Sequence, residues 1–199
     1  MKEFEIRRNN FVSRDIKGYY HVDYVRMGNP GNPDYLNVLK NDFGNRNDND
    51  LSRAIKSLEA ALDAFFGLFE HPDTWAVCVV PRAKSERMYR PEQQYFRAAV
   101  QSAVRRVGFV DGTLWITRHT DTVTTHLNQS GYGGSGHTPY VGITKATCHL
   151  SPDIAEKRIV LVDDIYTPGV CIDEDAIQAL LDAGASQVVF YAVGKTVTR

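Results

Sequence analysis

The chain is poor in cysteine, has no long hydrophobic run and carries no excess of either charge, and each shortage removes a class of protein. Three cysteines, Cys78, Cys148 and Cys171, are scattered over 199 residues. Their spacing excludes a Cys-x-x-Cys zinc knuckle, and their odd number fits a reducing compartment. No apolar stretch approaches the length of a membrane span. The start, Met-Lys-Glu-Phe-Glu-Ile-Arg-Arg, interleaves acids and bases where a signal peptide requires an apolar core, so a cytoplasmic protein with no membrane partner is expected. Lys and Arg number 23 against 24 Asp and Glu, a formal net charge of −1. With no basic block longer than a few residues, nothing supports a surface that neutralises many nucleic-acid phosphates.

What is present suits one α/β domain. Hydrophobic residues make up 43% of the chain, enough for a single core plus a modest elaboration. Residues 3–26 alternate (Phe4, Ile6, then Tyr20, Val22, Tyr24) and predict a hairpin. Residues 27–50 are rich in Asn, Gly, Pro and Asp, predicting a long solvated loop. Residues 1–50 are therefore taken as an elaboration and residues 51–199 as the main domain. Ile55, Leu58, Leu62, Phe65, Phe66 and Phe69 keep the three-four spacing of an amphipathic helix over residues 51–69, with Asp50 as its N-cap. Residues 74–80 predict a buried strand. A second helix starts at Pro91, presents Tyr95, Ala98, Ala99, Ser102, Ala103 and Val107 on one face, and stops at Gly108. Short strands are expected within 109–117 and 140–144, and a βαβ unit from a strand at 158–162, a helix at 172–183 ended by Gly184, and a strand at 187–193.

Chemistry concentrates in Ile159-Val-Leu-Val-Asp-Asp-Ile-Tyr-Thr-Pro-Gly-Val-Cys171. An aliphatic strand delivers Asp163 and Asp164 to its carboxyl end, and a short bend then opens a helix whose unpaired N–H groups suit a phosphate. Paired acids beside such a bend suit ribose hydroxyls and Mg²⁺. The bland reading is a strand, turn and helix whose acids only cap. A second candidate is the loop Val80-Pro81-Arg82-Ala83-Lys84 at the end of the 74–80 strand, followed by Arg87 and Arg90.

The 159–171 segment resembles the signature of the type I phosphoribosyltransferases: four hydrophobic residues, two acids, two more hydrophobic residues and a Thr-Thr-Gly-x-Thr-like turn. Thr167 and Gly169 match, whereas Tyr166 stands for an aliphatic, Pro168 for a small hydroxyl residue and Cys171 for the last Thr or Ser. The Val-Pro-x-x-Lys turn at 80–84, and Arg118-His119-Thr120-Asp121-Thr122 in the place of a hood, are similar to the competence-factor F-like branch. The likeness covers about residues 75–195. Residues 1–70 contain no cysteine, so the zinc finger of the competence proteins has no counterpart.

The resemblance implies a single phosphoribosyltransferase-type α/β domain with a central, mostly parallel sheet flanked by helices and a hood. It implies phosphoribosyl pyrophosphate as ligand and Mg²⁺ as cofactor. Asp163 and Asp164 would be the catalytic and metal-binding acids, Thr167, Pro168, Gly169, Val170 and Cys171 the 5′-phosphate bend, and Arg82, Ala83 and Lys84 the pyrophosphate loop. Arg87, Arg118 and His119 are hood candidates. The acceptor is expected to be a nucleobase-like small molecule, with Tyr89, Tyr95, Trp115 and Tyr132 available to stack on it. Two further readings stay open: a regulator that binds phosphoribosyl pyrophosphate or a nucleotide without turnover, and a competence- or defence-associated interaction module. Family members are often dimers, so a homodimer is compatible. The glycine-rich run 131–136 reads as a loop or hood, and His119, His126 and His137 lack an acid that would complete a metal set.

Overall fold

The computed structural model describes residues 1–40, 46–122, 143 and 146–197. Eight strands and four α-helices are described: β1 Lys2–Ile6, β2 Ile16–Tyr24, α1 Asp34–Lys40, α2 Asp48–Phe66, β3 Trp75–Val79, α3 Tyr95–Val107, β4 Val110–Asp111, β5 Ile116–Arg118, β6 Cys148–Leu150, β7 Arg158–Tyr166, α4 Ile172–Asp182 and β8 Gln187–Thr196. The fold is α/β. A six-stranded sheet runs in the order β1-β2-β8-β7-β3-β4, and every neighbouring pair is parallel except β1 with β2. Strands β5 and β6 form a separate antiparallel ribbon. Among the described residues no helix is long and apolar enough to cross a membrane.

Each face of the sheet has its own core. Val160 and Val162 of β7 join Val189, Tyr191 and Val193 of β8 under α1, α2 and α3. Ile159 and Leu161 join Phe190 and Ala192 under α4, with Ile116 and Cys148 of the ribbon on the same side. This partition follows from period-2 alternation along strands buried on both sides, and it explains why β7 and β8 are continuous aliphatic runs. The N-terminal hairpin forms as expected. Its second strand pairs in parallel with β8, so these residues extend the central sheet.

Several expectations need correction. Residues 34–40, placed in a solvated loop, form α1, and Leu36, Val38 and Leu39 are buried. Helix α2 starts earlier than the apolar period suggests: Asn47 is the N-cap, its side chain accepting from the Asp50 N–H at 2.9 Å, and Asp50 lies within the first turn. Helix α3 is preceded by a 3₁₀ turn at Pro91–Gln93. Its buried face is Ala99, Val100, Ala103 and Val104, while Ala98 and Ser102 are exposed. Strand β7 continues four residues past Val162, so both aspartates lie within the strand. The 140–144 strand and the 131–136 glycine run fall outside the described residues, Ile143 apart.

Helix α1 docks where Gly194 of β8 offers no side chain. A Cβ there would come within 2.8 Å of Leu36 Cδ1 and 3.3 Å of Tyr24 Cβ. Gly194→Ala is therefore expected to lower stability by about 1–3 kcal/mol through overpacking. Urea unfolding checks this, and a variant as stable as the parent would mean that α1 does not press on β8.

Candidate functional site

Chain direction builds a crevice between β3 and β7. From β3 the chain moves to β4 through α3, on one face of the sheet. From β7 it moves to β8 through α4, on the opposite face. Such a reversal leaves a gap outside the carboxyl ends of the two strands, and ligands of open α/β sheets bind there. A cleft of about 520 Å³, solvent at its mouth included, occupies this place. Its walls include Val79 and Val80 from the end of β3, Asp163 and Asp164 from β7, Lys40 from the end of α1, and Arg82, Glu86 and Arg97 from the segment leading into α3.

The two acids diverge. Asp164 continues the Val160 and Val162 side and meets Lys40 Nζ at 3.3 Å, both groups retaining about a fifth of their exposure. Asp163 continues the Ile159 and Leu161 side and hydrogen-bonds Asp173 in the first turn of α4. Burial, then repulsion from Asp164, pushes the Asp163 carboxyl well up; burial, then Asp163, does the same to Asp173. Both shifts favour one proton kept between the two carboxyls. Glu174 beside Asp173 is buried and accepts from the Tyr166 hydroxyl at 3.0 Å. One oxygen of Asp173 and one of Glu174 are buried without a partner among the described residues.

The bend after β7 is a tight Pro-Gly turn. The Val170 N–H returns to the Thr167 carbonyl at 3.2 Å, and Gly169 has φ +83°, the left-handed value that position i+2 of a type II turn requires. Cys171, at φ 65°, also takes the left-handed region and caps α4 without a side-chain bond. The Thr167 hydroxyl bonds that of Thr196 at 2.7 Å. Within the bend the Val170 amide and the Thr167 hydroxyl are thus occupied, and Pro168 has no N–H. Asp173, Glu174 and Asp175 fill the first turn of α4, where the positive helix end would otherwise favour an anion. The bend also lies outside the lining of the cleft.

The loop after β3 is pinned from several sides. Arg82 Nη1 donates to the carbonyls of Lys40 (2.9 Å) and Gln93 (2.7 Å), and its guanidinium lies 4.4 Å from the Tyr89 ring centre. Lys84 Nζ is 3.8 Å from Asp121, and its N–H donates to the Tyr89 hydroxyl. The Ala83 carbonyl accepts from Thr122 N–H at 2.7 Å. Arg118, a hood candidate, is a buried strut whose Nε donates to the Arg82 carbonyl at 2.6 Å. His119 and Arg87 are exposed. Of the stacking candidates Tyr89 lines the cleft, and Tyr132 lies outside the described residues.

Sequence reasoning missed Lys40, Glu86 and Arg97 of the cleft and Asp173 and Glu174 beside it. Lys40 was hidden in an unrecognised helix. Asp173 and Glu174 look like ordinary first-turn acids, and Glu86 and Arg97 sit among other charged residues that point to solvent.

Among the described residues no three metal-ligating side chains are arranged to hold an ion. Mg²⁺ carried by a polyphosphate keeps several waters and takes one or two protein carboxylates. Asp164, partly exposed in the cleft, fits that role; Asp163, bonded to Asp173, does not fit beside it. Comparison with protein-family models finds no match for this chain, and a search of curated proteins finds none either.

Proposed function

We propose that this protein binds phosphoribosyl pyrophosphate with Mg²⁺ in the cleft between β3 and β7 and transfers the phosphoribosyl group to a nucleobase-like acceptor, on a phosphoribosyltransferase-type fold. One observation carries the reading: the cleft falls where the connections reverse across a mostly parallel sheet, and it gathers carboxylates and several cations there. Fold alone does not give function, so the reading rests on these side chains.

In this reading Asp164 faces the ribose hydroxyls and the ion, and Lys40 releases its salt link to follow the ligand's charge. Arg82 holds the shape of the pyrophosphate loop through its two carbonyl bonds. The bond between the anomeric carbon and pyrophosphate breaks, its electron pair leaves with pyrophosphate, and an acceptor nitrogen supplies the pair for the new bond. Positive charge that develops on the ribose is stabilised by the fixed carboxylate of Asp164. Mg²⁺ would supply charge neutralisation of the leaving group.

The occupied amide and hydroxyl in the bend, together with Pro168, favour a second reading, binding without turnover. Titration calorimetry with phosphoribosyl pyrophosphate and Mg²⁺, followed by pyrophosphate release against a panel of nucleobases, separates the two. Micromolar binding with base-dependent release supports transfer, binding alone supports a sensor, and no binding removes both. Asp164→Asn is expected to weaken Mg²⁺-dependent binding by about tenfold or more, since it removes a partly exposed carboxylate in the cleft, whereas Asp163→Asn, at a carboxyl tied to Asp173, changes it little. Equal effects of the two substitutions would contradict the division of roles.

A further inference from the structure

We propose that Arg97 is the anion-binding residue of the cleft and that Glu86 is a resident carboxylate which an incoming ligand anion replaces. Where the anion is that of phosphoribosyl pyrophosphate, the proposal rests on the function proposed above.

The cations available near the cleft differ in what they already hold. Arg82 gives its Nη1 to two backbone carbonyls and its face to Tyr89. Lys84 turns to Asp121, and Lys40 to Asp164. Arg97, on the first turn of α3, is bound on one side only among the described residues: its Nη2 meets Glu86 Oε1 at 2.8 Å, while its Nη1 is buried and has no acceptor there. A buried guanidinium N–H without an acceptor costs roughly 1–3 kcal/mol, and a ligand that supplies the acceptor recovers it.

Glu86 holds Arg97 through one contact and not the two parallel bonds of a full fork. It stands on the 3₁₀ turn Glu86–Met88 and retains 30% of its side-chain exposure against 14% for Arg97. The carboxylate therefore has solvent to move into, whereas the guanidinium is fixed by the packing of α3. A phosphate group offers oxygens to Nη1 and Nη2 together, which the carboxylate does not do here. Exchange replaces a one-armed pair by a two-armed one and opens the cleft beside Gln94 and Phe96.

The obvious structural alternative, that Arg97 and Glu86 form a pair that only holds the loop, makes a different prediction. In that case both substitutions harm binding alike. If Glu86 competes with the ligand, they act in opposite directions.

The test is titration calorimetry of the whole chain with inorganic pyrophosphate, and separately with phosphoribosyl pyrophosphate and Mg²⁺, on the parent, Glu86→Gln, Arg97→Gln and Arg97→Lys, with thermal melts to show that each is folded. Pyrophosphate is expected to bind about tenfold or more weakly to Arg97→Gln and severalfold more tightly to Glu86→Gln, with Arg97→Lys between parent and Arg97→Gln because it keeps charge but loses the fork. Equal weakening in Glu86→Gln and Arg97→Gln, unchanged affinity in Arg97→Gln, or no pyrophosphate binding by the parent overturns the proposal. Arg97-dependent pyrophosphate binding by a parent that ignores phosphoribosyl pyrophosphate upholds it while removing the proposed function. Should the Arg97 variants fail to fold, Glu86→Gln alone decides: tighter binding upholds the exchange, and equal or weaker binding overturns it.

Discussion

Phe65→Ala is expected to cost about 3–5 kcal/mol, the usual loss for deleting a fully buried phenyl ring. Phe65 has no exposed surface and lies at the end of α2 flat against Tyr191 of β8, ring centres 4.1 Å apart and planes 4° from parallel. Tyr19 and Phe69 close on its other sides at 5.4 Å. Tyr191 is itself fixed by its hydroxyl, which donates to the Ala61 carbonyl at 3.1 Å. Such a cluster cannot collapse into the vacated volume, because the surrounding rings are held by helix and sheet backbone. Domains are commonly stable by only about 5–15 kcal/mol, so the variant should unfold at a melting temperature lower by roughly 10 °C or more. Urea unfolding with an unchanged slope measures the loss. A loss below about 1 kcal/mol would mean that α2 is not packed on the sheet as described.

How much of this was legible in the sequence depends on the kind of signal. The β7-α4-β8 unit was, because strands buried on both faces leave unbroken aliphatic runs and Gly184, at φ +92°, stops the helix as a glycine can. Helix α1 was not. Its three buried residues are diluted among Asn, Asp and Pro, and their burial depends on partners distant in sequence, the α2 and α3 core and the glycine gap on β8. The Asn47 cap was passed over because Asp50 stands nearer the first apolar position and caps just as well by type. At the site, Arg82 and the acid pair were identified and do line one cleft. Their orientations were not legible: the extension of β7 past Val162 sends neighbouring aspartates to opposite faces, a consequence of strand period and not of residue type. The same holds for Arg97, whose one-sided pairing depends on where a 3₁₀ turn places Glu86.

The Asp163–Asp173 pair gives the second large expectation, a stability that falls as pH rises through neutrality. Asp163 is pushed up to about 7 by burial and then by repulsion from Asp164, with the Asp173 hydrogen bond and Lys40 opposing, and Asp173 is pushed well above its ordinary range by burial and then by Asp163. Between about pH 4, where the unfolded carboxyls titrate, and these raised values, the folded state binds more protons than the unfolded one. Stability must then decrease with pH across that window, by up to about 1.4 kcal/mol per pH unit for each extra proton held. Below it the slope reverses, since Asp111, lowered by bonds from Thr113 and Arg105 that outweigh its burial, is destabilised by protonation. Asp173→Asn keeps a donor for Asp163 without needing a proton. It should flatten the decline between pH 5 and 7.5 and leave the variant more stable than the parent at neutral pH by about 1–3 kcal/mol, because a buried charge is no longer demanded. Urea titrations of both proteins at pH 5, 6 and 7.5 would show it. A parent profile that is flat or rises over this range, or a variant that tracks the parent, would mean that Asp163 and Asp173 do not share a proton and that Asp163 is free to turn toward the cleft.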